Sequence, residues 1–189
     1  MSRIFRHIEL FLFSAILFAL GWIMGTPERA LERLSFVSAW LCFAYMSMAL
    51  FVGPFFRIRY KKSVANIYLR RDVAIWAALV GLLHLVVGTE QSMNDEYLRM
   101  FVEEAARQPS PLVREMLFAW GSSIGFIVGV LYLGLLALSS DRAIRVLGIR
   151  WWKRLQKSSY LAFGLLVVHG LAFQVLEYRS RVVMLVFIL

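Results

Sequence analysis

The chain has 189 residues, 60% of them hydrophobic and 17% charged, with a formal net charge of +9. That composition excludes a soluble globular domain, which needs more polar surface than these residues supply. The single cysteine, Cys42, excludes an internal disulfide, an intrinsic iron–sulfur cluster and a thiolate zinc site; lying within an apolar run, it reads as a small buried hydrophobe. The positive charge does not imply nucleic acid, because the basic residues fall between apolar runs, where positive-inside loops account for them.

The apolar residues come as runs of roughly 18 or more, the length a helix needs to cross about 30 Å of hydrocarbon. Only helices and closed barrels satisfy their own backbone groups there, and no alternating pattern suggests strands. The expected class is therefore all-α: an integral membrane helix bundle of five full transmembrane helices plus the start of a sixth, in one domain over residues 1–189.

The first span is predicted at 8–25, after a tail carrying Arg3 and Arg6, and reads as an uncleaved anchor. The second, 34–53, is expected to stop at Pro54. A basic loop with Arg57, Arg59, Lys61, Lys62, Arg70 and Arg71 leads to the third span, 72–88. The connection 89–114 is the only acidic one, with Glu90, Asp95, Glu96, Glu103 and Glu104. Within it Met93, Tyr97, Met100, Phe101 and Ala105 recur at helical spacing, which predicts a short helix on the membrane surface. The fourth span, 117–138, is followed by a second basic loop containing Arg142, Arg145, Arg150, Lys153, Arg154 and Lys157. The fifth span is 160–176. Residues 182–189 are too few to cross and read as a truncated sixth helix.

Of the 21 Lys and Arg residues, 14 lie in the amino-terminal tail and the two basic loops. The positive-inside rule places these in the cytoplasm and the acidic connection outside, as in a bacterial inner (cytoplasmic) membrane.

Apart from Asp72 at a helix start, the ionisable groups of note within the spans are His84 and His169. A polar side chain at membrane depth is costly and faces the bundle interior. The third and fifth spans run in the same direction. His84 lies about five residues before the outer end of its span and His169 about seven before its own, so the two imidazoles share a height. Two imidazoles at one height on separate helices suit the two faces of a haem iron; each could equally serve as an interhelical hydrogen-bonding group. Gly121, Gly125 and Gly129 form a small-residue ridge on the fourth span, and Ala74, Ala78 and Gly81 a similar one on the third. Close helix packing explains both ridges, although they would also leave room for a flat macrocycle. His7 is expected at the cytoplasmic edge, too far from the other two histidines to join them.

The stretch Leu69-Arg70-Arg71-Asp72, followed by a helix ending Gly81-Leu82-Leu83-His84, resembles the third helix of the ferric-reductase-like transmembrane family. So does the later stretch Ser139-Ser140-Asp141-Arg142, Leu147-Gly148, Trp151-Trp152-Lys153-Arg154-Leu155-Gln156, Tyr160 and His169. Within that family the look is that of the MsrQ (YedZ) haem-binding membrane subunits, which serve a periplasmic methionine-sulfoxide reductase. The resemblance covers residues 69–181. It implies that His84 and His169 are the axial ligands of one b-type haem near the outer face. Two-haem relatives carry a second His pair about 20 Å deeper. Arg70 or Arg71 and Gln156 stand at those positions here, which implies one haem and not two.

An outer haem needs a further carrier to receive electrons from the cytoplasmic side. A flavin such as FMN, or a quinone, near Arg145, Arg150, Lys153 and Arg154 would serve, although these cations also act as topology determinants and lipid-phosphate ligands. No glycine-rich phosphate loop or nicotinamide-binding unit occurs in the sequence. The expected function is a b-type haem-binding membrane subunit, part of an oxidoreductase system rather than a self-contained enzyme. It would carry electrons from a quinol or flavin donor to a protein partner on the outer face. The alternative is a structural accessory subunit of a larger membrane complex, with the fold kept and no redox work.

Overall fold

The computed structural model describes residues 3–24, 30–60, 67–93 and 111–176. Its elements are six helices: α1 (Arg3–Met24), α2 (Ala30–Tyr60), α3 (Ile67–Met93), α4 (Pro111–Leu138), α5 (Asp141–Gln156) and α6 (Ser158–Leu176). Five stretches are long and apolar enough to cross a membrane: Ile4–Ile23, Ala30–Phe55, Leu69–Gln91, Met116–Leu138 and, across α5 and α6, Asp141–Leu176. The protein is thus an all-α integral membrane bundle with a lipid bilayer as its environment. Residues 182–189, and the surface helix expected from Met93 to Ala105 beyond its first residue, lie outside the described residues.

Two expectations about local structure need correction. Pro54 does not end α2, which continues to Tyr60. Proline in a helix forfeits one hydrogen bond and crowds the preceding residue, but Gly53 has no Cβ to be crowded, and membrane helices accommodate such breaks. The second basic loop is not a loop either. It is α5, capped by Ser140, whose Oγ accepts the Ala143 N–H at 3.1 Å, and bent at Gly148, where φ is 69°. Glycine alone takes that backbone region without a steric penalty.

The side-chain register shows how the helices alternate. Leu10 of α1 meets Tyr45 of α2, and Trp22 meets Arg33, so these two run antiparallel. Cys42 of α2 reaches the Ala77 carbonyl of α3, while Ser35 reaches His84, again antiparallel. Gly81 of α3 lies against Tyr132 of α4, and Gly129 against Leu85; Gly121 and Gly125 of α4 then face Phe173 and His169 of α6. Helices α3 and α6 are therefore parallel, both antiparallel to α4.

The core is a four-helix unit. Leu41, Tyr45 and Met46 from α2, Val73, Ala77 and Ala78 from α3, Val128 and Tyr132 from α4, and Ala162 and Leu166 from α6 are all buried together. Small residues on α3 let α2 and α4 approach closely, which in a bilayer substitutes for a hydrophobic driving force between helices. Helix α1 packs on the outside, against α2 and α3, and shows Ile4, Phe5, Phe11, Ile16 and Ile23 outward. Helix α5 closes one end: Trp152 is buried and its indole N–H donates to the Leu138 carbonyl, 2.8 Å away, at the terminus of α4.

Candidate functional site

His84 and His169 are brought together by this alternation. Their ring centroids are 6.1 Å apart, with the planes inclined at 74°. Helix α3 continues to Met93, so His84 is deeper in its helix than the expected span end implied; the parallel course of α3 and α6 still brings the rings to one level. Both side chains are half-buried.

Each ring is oriented through its Nδ1. His84 Nδ1 lies 3.0 Å from the Ser35 carbonyl of α2 and 3.3 Å from Ser38 Oγ, whose own hydroxyl donates to the same Ser35 carbonyl. His169 Nδ1 lies 2.8 Å from the Gly121 carbonyl of α4. A carbonyl oxygen can only accept, so both Nδ1 atoms carry the proton and both Nε2 atoms keep their lone pair. Among the described residues no hydrogen bond reaches either Nε2. An imidazole held this way has its tautomer fixed and its basicity raised, the arrangement typical of metal-binding histidines.

Glycine makes room for this arrangement. A Cβ at Gly125 would stand 2.7 Å from His169 Cε1 and 2.9 Å from its Nδ1, and one at Gly121 would stand 3.0 Å from Phe173. The glycine ridge of α4 is thus a seat for the His169 ring and its neighbour Phe173, whose ring centroid is 5.0 Å from that of the histidine. Packing explains the ridge, as expected, but for Gly121 and Gly125 the packing partner is the site itself, while Gly129 meets Leu85 of α3. On α3, Gly81 accommodates Tyr132, whose hydroxyl is 3.3 Å from Cys42 Sγ. Cys42 is indeed buried.

Among the described residues, no group of three or more His, Cys, Asp or Glu side chains could hold a metal ion. The pair offers two nitrogen donors and nothing more.

At the opposite end of α3 lies a polar cluster that the sequence reading missed. Asp72 is fully buried; Arg6 Nε donates to its Oδ2 at 2.9 Å, and His7 Nε2 lies 3.5 Å from its Oδ1. The Trp76 indole donates to His7 Nδ1 at 3.2 Å. His7 is indeed remote from the His84–His169 pair, and it is built into an α1–α3 junction with Asp72 and Trp76. Its signal was the apolar context of Arg6, His7 and Asp72 together. Glu9, also within α1, is exposed. Of the positions the resemblance marks for a second His pair, Arg70 or Arg71 and Gln156, Arg71 Nη1 donates to Asp141 Oδ1 at 2.6 Å, and Gln156 ends α5, outside α6 altogether.

No curated protein and no solved structure matches the chain. A family model, the ferric reductase like transmembrane component, matches residues 38–167. The match takes in His84 and stops two residues short of His169, and it covers most of the chain. Taken with the parallel α3 and α6 and the buried four-helix core, this shows that the chain belongs to the ferric reductase like transmembrane family.

Proposed function

We propose that the chain is a one-haem, b-type membrane electron carrier in which His84 and His169 would hold the haem; family membership supports a redox role in the membrane. The observation that carries this reading is the close, edge-on pair of imidazoles from two helices, both with Nδ1 committed to a backbone carbonyl and Nε2 left with its lone pair. With their centroids 6.1 Å apart, the two imidazoles would be near enough for both to hold one iron centre. Two imidazoles cannot complete the coordination of a bare ion, whereas an iron already held in a macrocycle asks the protein for axial ligands only. A purely structural role explains the two interhelical hydrogen bonds but not why two imidazoles from separate helices come within 6.1 Å of each other.

Such a haem, when bound, supplies one-electron transfer at a potential set by its ligands and surroundings. The chain's own part is to hold the donors. Ser35 and Gly121 fix the ring tautomers, Gly125 seats one ring, and the bundle keeps the pair away from bulk water. We infer that electrons come from a quinol or a flavin at the α5 end and leave to a protein partner near the His84–His169 end. The basic residues of the amino-terminal tail, of 57–71 and of α5 put that first end in the cytoplasm by the positive-inside rule. The MsrQ-like look of the sequence supports a partner outside a bacterial inner membrane.

The test is haem content. The purified full chain is expected to carry one b-type haem per polypeptide by pyridine haemochrome assay; two per chain, or none in folded protein, contradicts the proposal. The second outcome would leave a structural accessory subunit, with the same fold, as the better reading.

A further inference from the structure

Helix α5 has an outer face that none of the described helices covers. Val146 is 75% exposed, Ile149 61%, Trp151 60% and Leu155 43%. Interleaved with them are the exposed cations Arg142, Arg145, Arg150, Lys153 and Arg154, with Lys157 just beyond the helix. The one acid on the helix, Asp141, is engaged by Arg71. A soluble surface would not carry that much apolar area, and a membrane-crossing helix would not carry that many charges.

The position of α5 decides between environments. It begins three residues after α4 ends and is followed at once by α6, two helices that cross the membrane, so it lies at the boundary between water and hydrocarbon. The inner side is anchored by the buried Trp152, and the bend at Gly148 lets the two halves of α5 follow different directions. The Arg154 guanidinium lies 5.0 Å from the centroid of the Trp151 ring, which pairs an interfacial aromatic with a cation. Amphipathic helices of this composition lie in the headgroup layer with their apolar residues among the upper acyl carbons.

We propose that α5 is a membrane-surface helix whose exposed cations bind anionic phospholipid headgroups while Val146, Ile149 and Trp151 enter the acyl region. The occupant of this face is the bilayer, because the face is apolar and cationic at once and its charge is complementary to anionic lipid. The inference stands whether or not the chain binds haem.

Two measurements test it on the full chain. The first is native mass spectrometry of protein released from mixed micelles of phosphatidylglycerol and phosphatidylcholine. Retained lipid is expected to be enriched in phosphatidylglycerol. The triple substitution Arg150→Gln, Lys153→Gln and Arg154→Gln should lower that preference about five-fold for each cation removed, with helicity by circular dichroism unchanged. Equal retention of both lipids by wild type, an unchanged preference in the variant, or displacement of the lipid by millimolar inorganic phosphate overturns the proposal. The second uses Ile149→Cys, labelled with an environment-sensitive fluorophore and reconstituted in phosphatidylglycerol-containing vesicles. Quenching by lipids brominated near the headgroup end of the chain is expected. Quenching by aqueous iodide alone would mean that α5 stands in water, ready for a soluble acidic partner, and would overturn the proposal independently of the first test.

Discussion

Gly125 is the residue whose identity the site constrains most directly. Its backbone lies so close to His169 that any Cβ would stand inside the van der Waals distance of the ring. The ring cannot retreat freely, because its Nδ1 is tied to the Gly121 carbonyl. Gly125→Ala should therefore cost roughly 1–3 kcal/mol of stability and lower haem content, read as thermal unfolding and Soret absorbance per protein. Gly134→Ala, where a Cβ would meet nothing within 4 Å, should leave both unchanged. The histidines themselves were legible in the sequence, since an ionisable side chain within an apolar run stands out. Their partners were not. Ser35 and Gly121 act through backbone carbonyls, which every residue possesses, so no residue type marks them.

Among the elements, α1 depends most on polar contacts. Only 11% of its membrane-spanning stretch is buried in the bundle, so apolar packing holds it weakly. Besides the Arg33 contact with the Trp22 carbonyl, two buried polar junctions attach it. At one, Ser14 and Tyr45 share the Leu10 carbonyl; at the other, Arg6 and His7 meet the buried Asp72. Removing Arg6 takes a charged hydrogen-bond donor from the buried Asp72 carboxylate, which keeps its contact with His7. Arg6→Ala should lower stability by about 1.5–3 kcal/mol, measured by denaturant titration in micelles, whereas Glu9→Ala, exposed on the same helix, should change it by less than about 0.5 kcal/mol. The number and order of spans could be read from hydropathy because the bilayer demands long apolar helices. The helical state of α5 could not, since its charges hide the period that Trp152 and its neighbours follow. Nor could the passage of α2 through Pro54, because the usual rule for soluble helices places a stop there.

At the scale of the whole molecule, alternation of the helices fixes which ends lie together. The start of α1, the end of α2, the start of α3 and all of α5 share one side, and the His84–His169 pair lies toward the other. Labelling of Lys153→Cys with a membrane-impermeant maleimide should accordingly occur in inside-out vesicles and fail in spheroplasts, with Thr89→Cys showing the reverse. Labelling of both from one side would contradict the alternation; a clean reversal would contradict the positive-inside assignment. Fold and family are consistent with one another: the matched segment, residues 38–167, takes in the whole of α3 to α5 and most of α2 and α6. Among the described residues the chain brings one histidine pair together, and toward the other end of α3 Arg71 is engaged by Asp141.

The measurement that bears most directly on this reading is a dithionite-reduced minus oxidised absorption spectrum of the detergent-purified full chain, taken for wild type, His84→Ala and His169→Ala. A sharp b-type α-band in wild type, absent from both variants while their helicity is intact, is the predicted result. Folded wild-type protein with no such band, or a band that survives in either variant, would contradict the assignment of His84 and His169 as the ligands of a single haem.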